Sequence, residues 1–271
     1  MKKIAIIIIT LFCIIGLCKS EEINEDWIKS DSIFISHLKI AYQKNPLSIE
    51  KQLEPWEMQR ANLGFGYSSI EHSMGKGYVS IFYTLVYKDK KLISYRLEPK
   101  MPRNSQLIKR YLSFYEGMFE IKDSKAQVLY FGYKNVSLPL EISKPAIDVS
   151  KEIKYFMTPY SGIIYGDYGG IANSILENRE AFNLVKDSIN ENILIYLLKS
   201  INPATRMCAA EEYYQNKESY QHKDIIEKLI EINLKELPKI KTMSSCLKYE
   251  DNAKDILNRM IGKNKHLSIE N

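Results

Sequence analysis

The chain has 271 residues, 45% of them hydrophobic and 26% charged, with 38 basic against 33 acidic side chains and a net charge of +5. That length accommodates one large domain or two small ones with real cores. The +5 falls to +2 without Lys2, Lys3 and Lys19 of the N-terminal segment, which argues against the clustered basic face of a nucleic-acid-binding domain.

Taken in order, the chain opens on Lys2 and Lys3, runs uncharged over residues 4–18, and turns polar at Lys19, Ser20, Glu21 and Glu22. A spanning helix needs roughly 20 apolar residues. The shorter run predicts a secretory signal peptide over residues 1–20. Two maturation routes are open: cleavage after Ser20, with Cys18 and Ser20 as the small residues before the cut, or lipid attachment at Cys18. Ile15-Gly16-Leu17-Cys18 approximates a lipobox except for the bulk of Leu17. Either route predicts an extracytoplasmic chain, periplasmic or secreted, with no transmembrane segment in its mature part.

Residues 21–145 read as an α+β domain. Trp27, Phe34, Leu38, Ala41 and Tyr42 fit one helix face, which ends at Asn45-Pro46 because the residue before proline avoids helical angles. Residues 78–87 are aromatic and β-branched. Lys88-Asp89-Lys90-Lys91 then makes a turn, and Ile93, Tyr95 and Leu97 alternate with polar side chains, which predicts a β-hairpin. Gly64, Gly66 and Gly75 punctuate an earlier strand around residues 65–70. Leu107, Tyr111, Leu112, Tyr115 and Met118 fall at helical spacing behind a cap at Asn104 or Ser105. Short strands are expected over 127–133 and 136–142, the second at an edge because of Pro139. The sum is a small antiparallel sheet with helix packed on one face.

Residues 146–271 carry helical periodicity over 177–186, 191–199, 203–215, 223–236 and 251–261, with Asn202-Pro203 as cap and first helical residue. This predicts an all-α C-terminal region, a bundle or a HEAT-like stack. The segment Asn202-Pro203-Ala204-Thr205-Arg206-Met207-Cys208-Ala209-Ala210-Glu211 resembles a helix of uncharacterised exported bacterial proteins with HEAT-like helical hairpins. That resemblance covers residues 190–250. It implies a fold and an extracytoplasmic address, and carries no catalytic residues.

Beyond the leader, Cys208 and Cys246 are the remaining cysteines. In an oxidising compartment a disulfide between them is expected, stabilising by about 4 kcal/mol in the chain-entropy model; separate burial of two thiols is the alternative. His37, His72, His222 and His266 have no metal-ligand spacing. Ser161-Gly162 lacks the flanking glycine of a nucleophile elbow. Gly166-Asp167-Tyr168-Gly169-Gly170 matches no phosphate-binding fingerprint and reads as a hinge. Asn135-Val136-Ser137 matches a glycosylation acceptor by composition alone. Tyr160, Tyr165, Tyr168, Tyr213 and Tyr214 concentrate around the hinge and the first helices, and an exposed aromatic binding surface is expected there.

The sequence therefore predicts a non-enzymatic binding module of the cell envelope. Its partner would be a protein or envelope component, and no catalytic residue, cofactor or metal is assigned. The alternative is an extracytoplasmic hydrolase using Glu71, Asp167 or Glu211 in a cleft between the halves.

Overall fold

A computed structural model describes residues 23–140, 148–170 and 172–267, with side chains described as far as residue 261. The signal peptide, Cys18 and the side chain of His266 lie outside the described residues.

Helix α1 (Glu25–Lys44) starts where Asn24 Oδ1 accepts from the amides of Asp26 and Trp27 at 3.0 and 3.2 Å. Glu25 and Asp26 in its first turn complement the helix dipole. It ends at Asn45, whose side chain caps the following one-turn helix at Leu47. The buried stripe is Ile28, Asp31, Phe34, Ile35 and Leu38, while Trp27 stays half exposed.

Five antiparallel strands follow in spatial order: β1 (Ala61–Gly64), β2 (Tyr67–Gly75), β3 (Ser80–Lys88), β4 (Lys91–Pro99) and β5 (Leu129–Phe131). Asp89 and Lys90 both have positive φ (48° and 66°), the angles of the two-residue turn that suits the strand twist. Helix α2 (Ser105–Tyr115) is capped by Asn104. One sheet face presents Ile70, Ile81, Tyr83, Leu85, Tyr95 and Leu97 to α1 and to Leu107, Tyr111 and Tyr115 of α2. The other face carries Ser69, Glu71 and Ser73, paired with Val86, Thr84 and Phe82, and then Arg96 and Glu98. It is largely polar and looks toward the second half of the chain. No strand forms over the described part of 136–142, which follows a 3₁₀ turn at Tyr133–Asn135.

The second half comprises α3 (Lys151–Phe156), α4 (Glu177–Val185), α5 (Glu191–Leu198), α6 (Pro203–Gln215) and α7 (Lys223–Glu236). Helix α6 is the hub, buried on all sides from Pro203 to Ala210. The expectation of an all-α C-terminal region, bundle or HEAT-like, is overturned here. After Leu237-Pro238 the chain forms an antiparallel hairpin, β6 (Lys239–Ser244) with β7 (Leu247–Asn252), before α8 (Ala253–Leu267). A two-residue ladder also pairs Tyr168–Gly169 with Ser174–Ile175. The molecule is mixed throughout. Of the six residues of β6 only Ile240 is buried, so no alternation marks it in the sequence. Among the described residues no helix is long and apolar enough to cross a membrane.

Candidate functional site

The polar face of the sheet forms one wall of a cleft, and the segment after Ser161 forms another. That segment is fixed from below by Asn202, whose amide donates to the carbonyls of Thr158 and Gly162 at 2.8 and 2.9 Å while its oxygen caps α6 at Ala204. Gly162 turns the chain at φ 88°, and a Cβ there would come within 3.2 Å of the Asn178 amide nitrogen. Ile163 and Ile164 are thereby delivered to the cleft. Tyr165 then donates from its backbone to Lys241 O at 2.8 Å and bridges Thr242, which docks the β6–β7 hairpin alongside. The result is a cavity of about 210 Å³ lined by Glu71, His72, Phe82, Ile163, Ile164, Lys241 and Lys248, among others.

Charge in this cleft is unevenly compensated. Burial pulls the Lys241 ammonium below the ordinary lysine value and repulsion from Lys248 adds to it, against the attraction of Glu250 and Glu71. Across Gly162, Glu177 opens α4. Burial pushes its carboxyl up and Glu71 reinforces the shift, with Arg96 opposing. Glu177 also borders a second, shallower cavity of about 440 Å³ with Tyr155, Glu180, Ala181 and Leu184.

A separate cluster lies on the far side of Tyr165. Arg179 Nη2 donates to Glu211 Oε2 at 2.7 Å, and its Nε lies 2.9 Å from Asp167 Oδ1. Tyr165 Oη donates to the same Glu211 oxygen at 2.8 Å, and Gln215 takes the other at 3.1 Å. Burial first, then the Glu211 carboxylate, raises the Tyr165 phenol well above its ordinary value. The cavity here measures about 330 Å³, with Arg259 and Met260 on its wall. Both carboxylates are tied to one guanidinium, so neither stands free as the acid or base of a hydrolytic pair. Glu71 belongs to the other cavity. The three carboxylates considered from sequence are therefore not brought together.

The aromatic surface expected from sequence is also not formed. Tyr160, Tyr165 and Tyr213 are buried, Tyr214 is half buried, and Tyr168 alone is exposed. The reason is that their hydroxyls find internal partners: Tyr160 with Ser94 at 2.6 Å, Tyr165 with Glu211, and Tyr213 with Glu227 at 2.8 Å. The expected disulfide is likewise absent, since Cys208 and Cys246 are both free. Cys208 faces the core of α6, 3.5 Å from Asn178 Oδ1, and burial pushes its thiol up to about 12. Cys246 sits exposed in the turn of the β6–β7 hairpin.

Ser161 is wholly buried and donates to the carbonyls of Phe156 and Thr158, so it cannot meet a substrate. His72 packs against Trp56, with ring centroids 5.5 Å apart and planes tilted by 51°, and His222 pairs with Glu191. Among the described residues no group of three or more His, Cys, Asp or Glu side chains is placed to hold a metal ion. Lys241, Lys248, Glu177 and Arg179 were not singled out by sequence reasoning. The first two lie on the undetected hairpin, and the other two are ordinary polar positions of a helix until the fold buries Arg179 and sets Glu177 against Gly162.

Comparison of the chain with protein-family models, with curated proteins and with solved structures finds no match.

Proposed function

We propose that the protein is an extracytoplasmic, non-enzymatic binding protein that takes its partner into the cleft between the polar sheet face and residues 163–165. The observation that carries this reading is the make-up of that cleft. Apolar side chains (Phe82, Ile163, Ile164) share the lining of a concave space there with charged ones (Glu71, Lys241, Lys248), which offers a ligand both apolar contact and converging polar groups. The nucleophiles a catalyst would need are elsewhere engaged: Ser161 is enclosed, Cys208 is buried in its thiol form, and Asp167 and Glu211 share Arg179. The address is supported by the layout of residues 1–20.

Thermal-shift screening of the purified chain against amino acids, dipeptides, sugars, cell-wall fragments and nucleotides tests the binding reading. At least one class is expected to raise the midpoint, and Phe82→Ala is expected to remove that rise. A panel that leaves the midpoint unmoved would count against it. Mass spectrometry of the exported chain tests the address, with a new N-terminus at Glu21 or a lipid on Cys18 as the expected products. A hydrolase is the second reading, favoured by one observation, the raised carboxyl of Glu177 beside Glu71. Turnover of any ester, amide or glycoside that disappears in Glu177→Gln would establish it in place of the first.

A further inference from the structure

Two lysines on the C-terminal hairpin narrow the choice of ligand. Lys241 of β6 and Lys248 of β7 line the same cavity. Among the described residues neither has a carboxylate within 4.0 Å, and Glu71 on the sheet wall has no cationic partner within that distance either. Lys241 is half-buried and Lys248 exposed on the same face of the hairpin, and their mutual repulsion, only partly offset by Glu250 across the ladder from Lys241, is relieved when an anion joins them. The opposing wall offers the reverse, a carboxylate without a cation. Between them lie the apolar groups of Phe82, Ile163 and Ile164.

We propose that this cavity binds a small zwitterion, a free amino acid or a dipeptide. Its carboxylate sits between Lys241 and Lys248, its ammonium group meets Glu71, and its side chain rests on Phe82 and the two isoleucines. The assignment rests on the binding reading above. A simple anion such as phosphate would satisfy the lysines but would face Glu71 with no positive group of its own, and it would leave the apolar wall without a use. A plain cation would meet the lysines. Only a ligand with both signs and an apolar part complements all three features. The cavity of about 210 Å³ restricts it to the small end of the ligand range.

Isothermal titration calorimetry of the purified chain with phenylalanine, leucine and the dipeptide Ala-Phe tests this, with N-acetylphenylalanine, phenylalanine amide, acetate and inorganic phosphate as comparison probes. Binding of at least one zwitterion is expected, about tenfold or more tighter than either blocked analogue, since each block removes one charge-assisted contact. Lys241→Met and Lys248→Met keep the apolar stem of the side chain and are each expected to weaken that binding by about tenfold. Glu71→Gln should weaken the zwitterion and leave the acetylated analogue unchanged. Circular dichroism of each variant confirms that the fold is retained.

Absence of heat with all three zwitterions overturns the proposal, as does phosphate binding equally well and indifferent to Glu71→Gln. If the zwitterions are silent but another compound of the screening panel stabilises the chain and loses that effect in Phe82→Ala, the ligand assignment falls while the binding reading stands. If nothing stabilises it, both fall.

Discussion

Asp31 occupies the middle of the apolar stripe of α1, three residues after Ile28 and four before Ile35, and is completely buried. Its Oδ2 accepts from the amides of Tyr78 and Val79 at 2.7 and 3.2 Å and from Tyr111 Oη at 2.7 Å. One carboxylate thus ties α1 to the loop before β3 and to α2. Gly77 makes the approach close enough, because a Cβ there would stand 2.4 Å from Trp27 O and 2.9 Å from Asp31 Oδ2. Asp31→Ala leaves three donors without an acceptor and is expected to cost about 3 kcal/mol, within the usual range for orphaned buried groups. A fall in the urea midpoint at unchanged slope measures it. In sequence the aspartate only blurs the helical period, since nothing local marks the donors 47 to 80 residues away that justify it.

At the scale of elements, visibility followed burial on one face. The β3–β4 hairpin and α2 were legible because the two strands bury nearly all of their apolar residues and Leu107, Tyr111 and Tyr115 recur at helical spacing on the buried face of α2. The β6–β7 hairpin buries a single side chain of twelve, and so the strands that supply the site lysines left no pattern. The start of α7 illustrates a smaller device. Glu191, in the first turn of α5, accepts from the backbone amide of His222 at 3.0 Å and from that of Gln221, and pairs with the His222 ring. The side-chain hydrogen bond raises His222 above its ordinary 6.5 and lowers Glu191 below 4.5. The histidine's contribution is complete below 6.5 and fades as the pH climbs through its raised value. The glutamate's is complete above 4.5 and fades as the pH drops through its lowered one. The thermal midpoint is therefore expected to be best supported between these limits. In His222→Gln the alkaline fall should flatten, and unaltered pH profiles in that variant would refute the clamp. His222 is exposed and Glu191 only half-buried, so solvent screens the pair and the effect is small.

For the molecule as a whole, the issue is whether the two halves unfold as one. Arg206 of α6 is fully enclosed and donates to the carbonyls of Ser200 and Ile201 at 2.7 and 3.2 Å from Nη1 and to Leu63 O of the edge strand β1 at 2.8 Å from Nη2. Around it, Glu236 accepts from the Phe65 amide at 2.6 Å, and Tyr160 packs with Val86, Val136 and Ile201. These contacts were illegible from sequence because a backbone acceptor carries no residue identity and the change from mixed to helical periodicity divides the chain into separate domains over 21–145 and 146–271. They bind the sheet to the helical hub directly. Arg206→Met removes all three hydrogen bonds and leaves their carbonyls buried, an expected loss of about 3 kcal/mol. Both tryptophans, Trp27 and Trp56, belong to the first half, whereas helical circular dichroism comes mostly from the second. A single cooperative unit requires the fluorescence and dichroism transitions to coincide in the parent chain and to shift together in Arg206→Met. Should the tryptophan transition stay in place while the helical signal moves, the halves are independent domains, and the cleft between them is set by a hinge instead of by one continuous core.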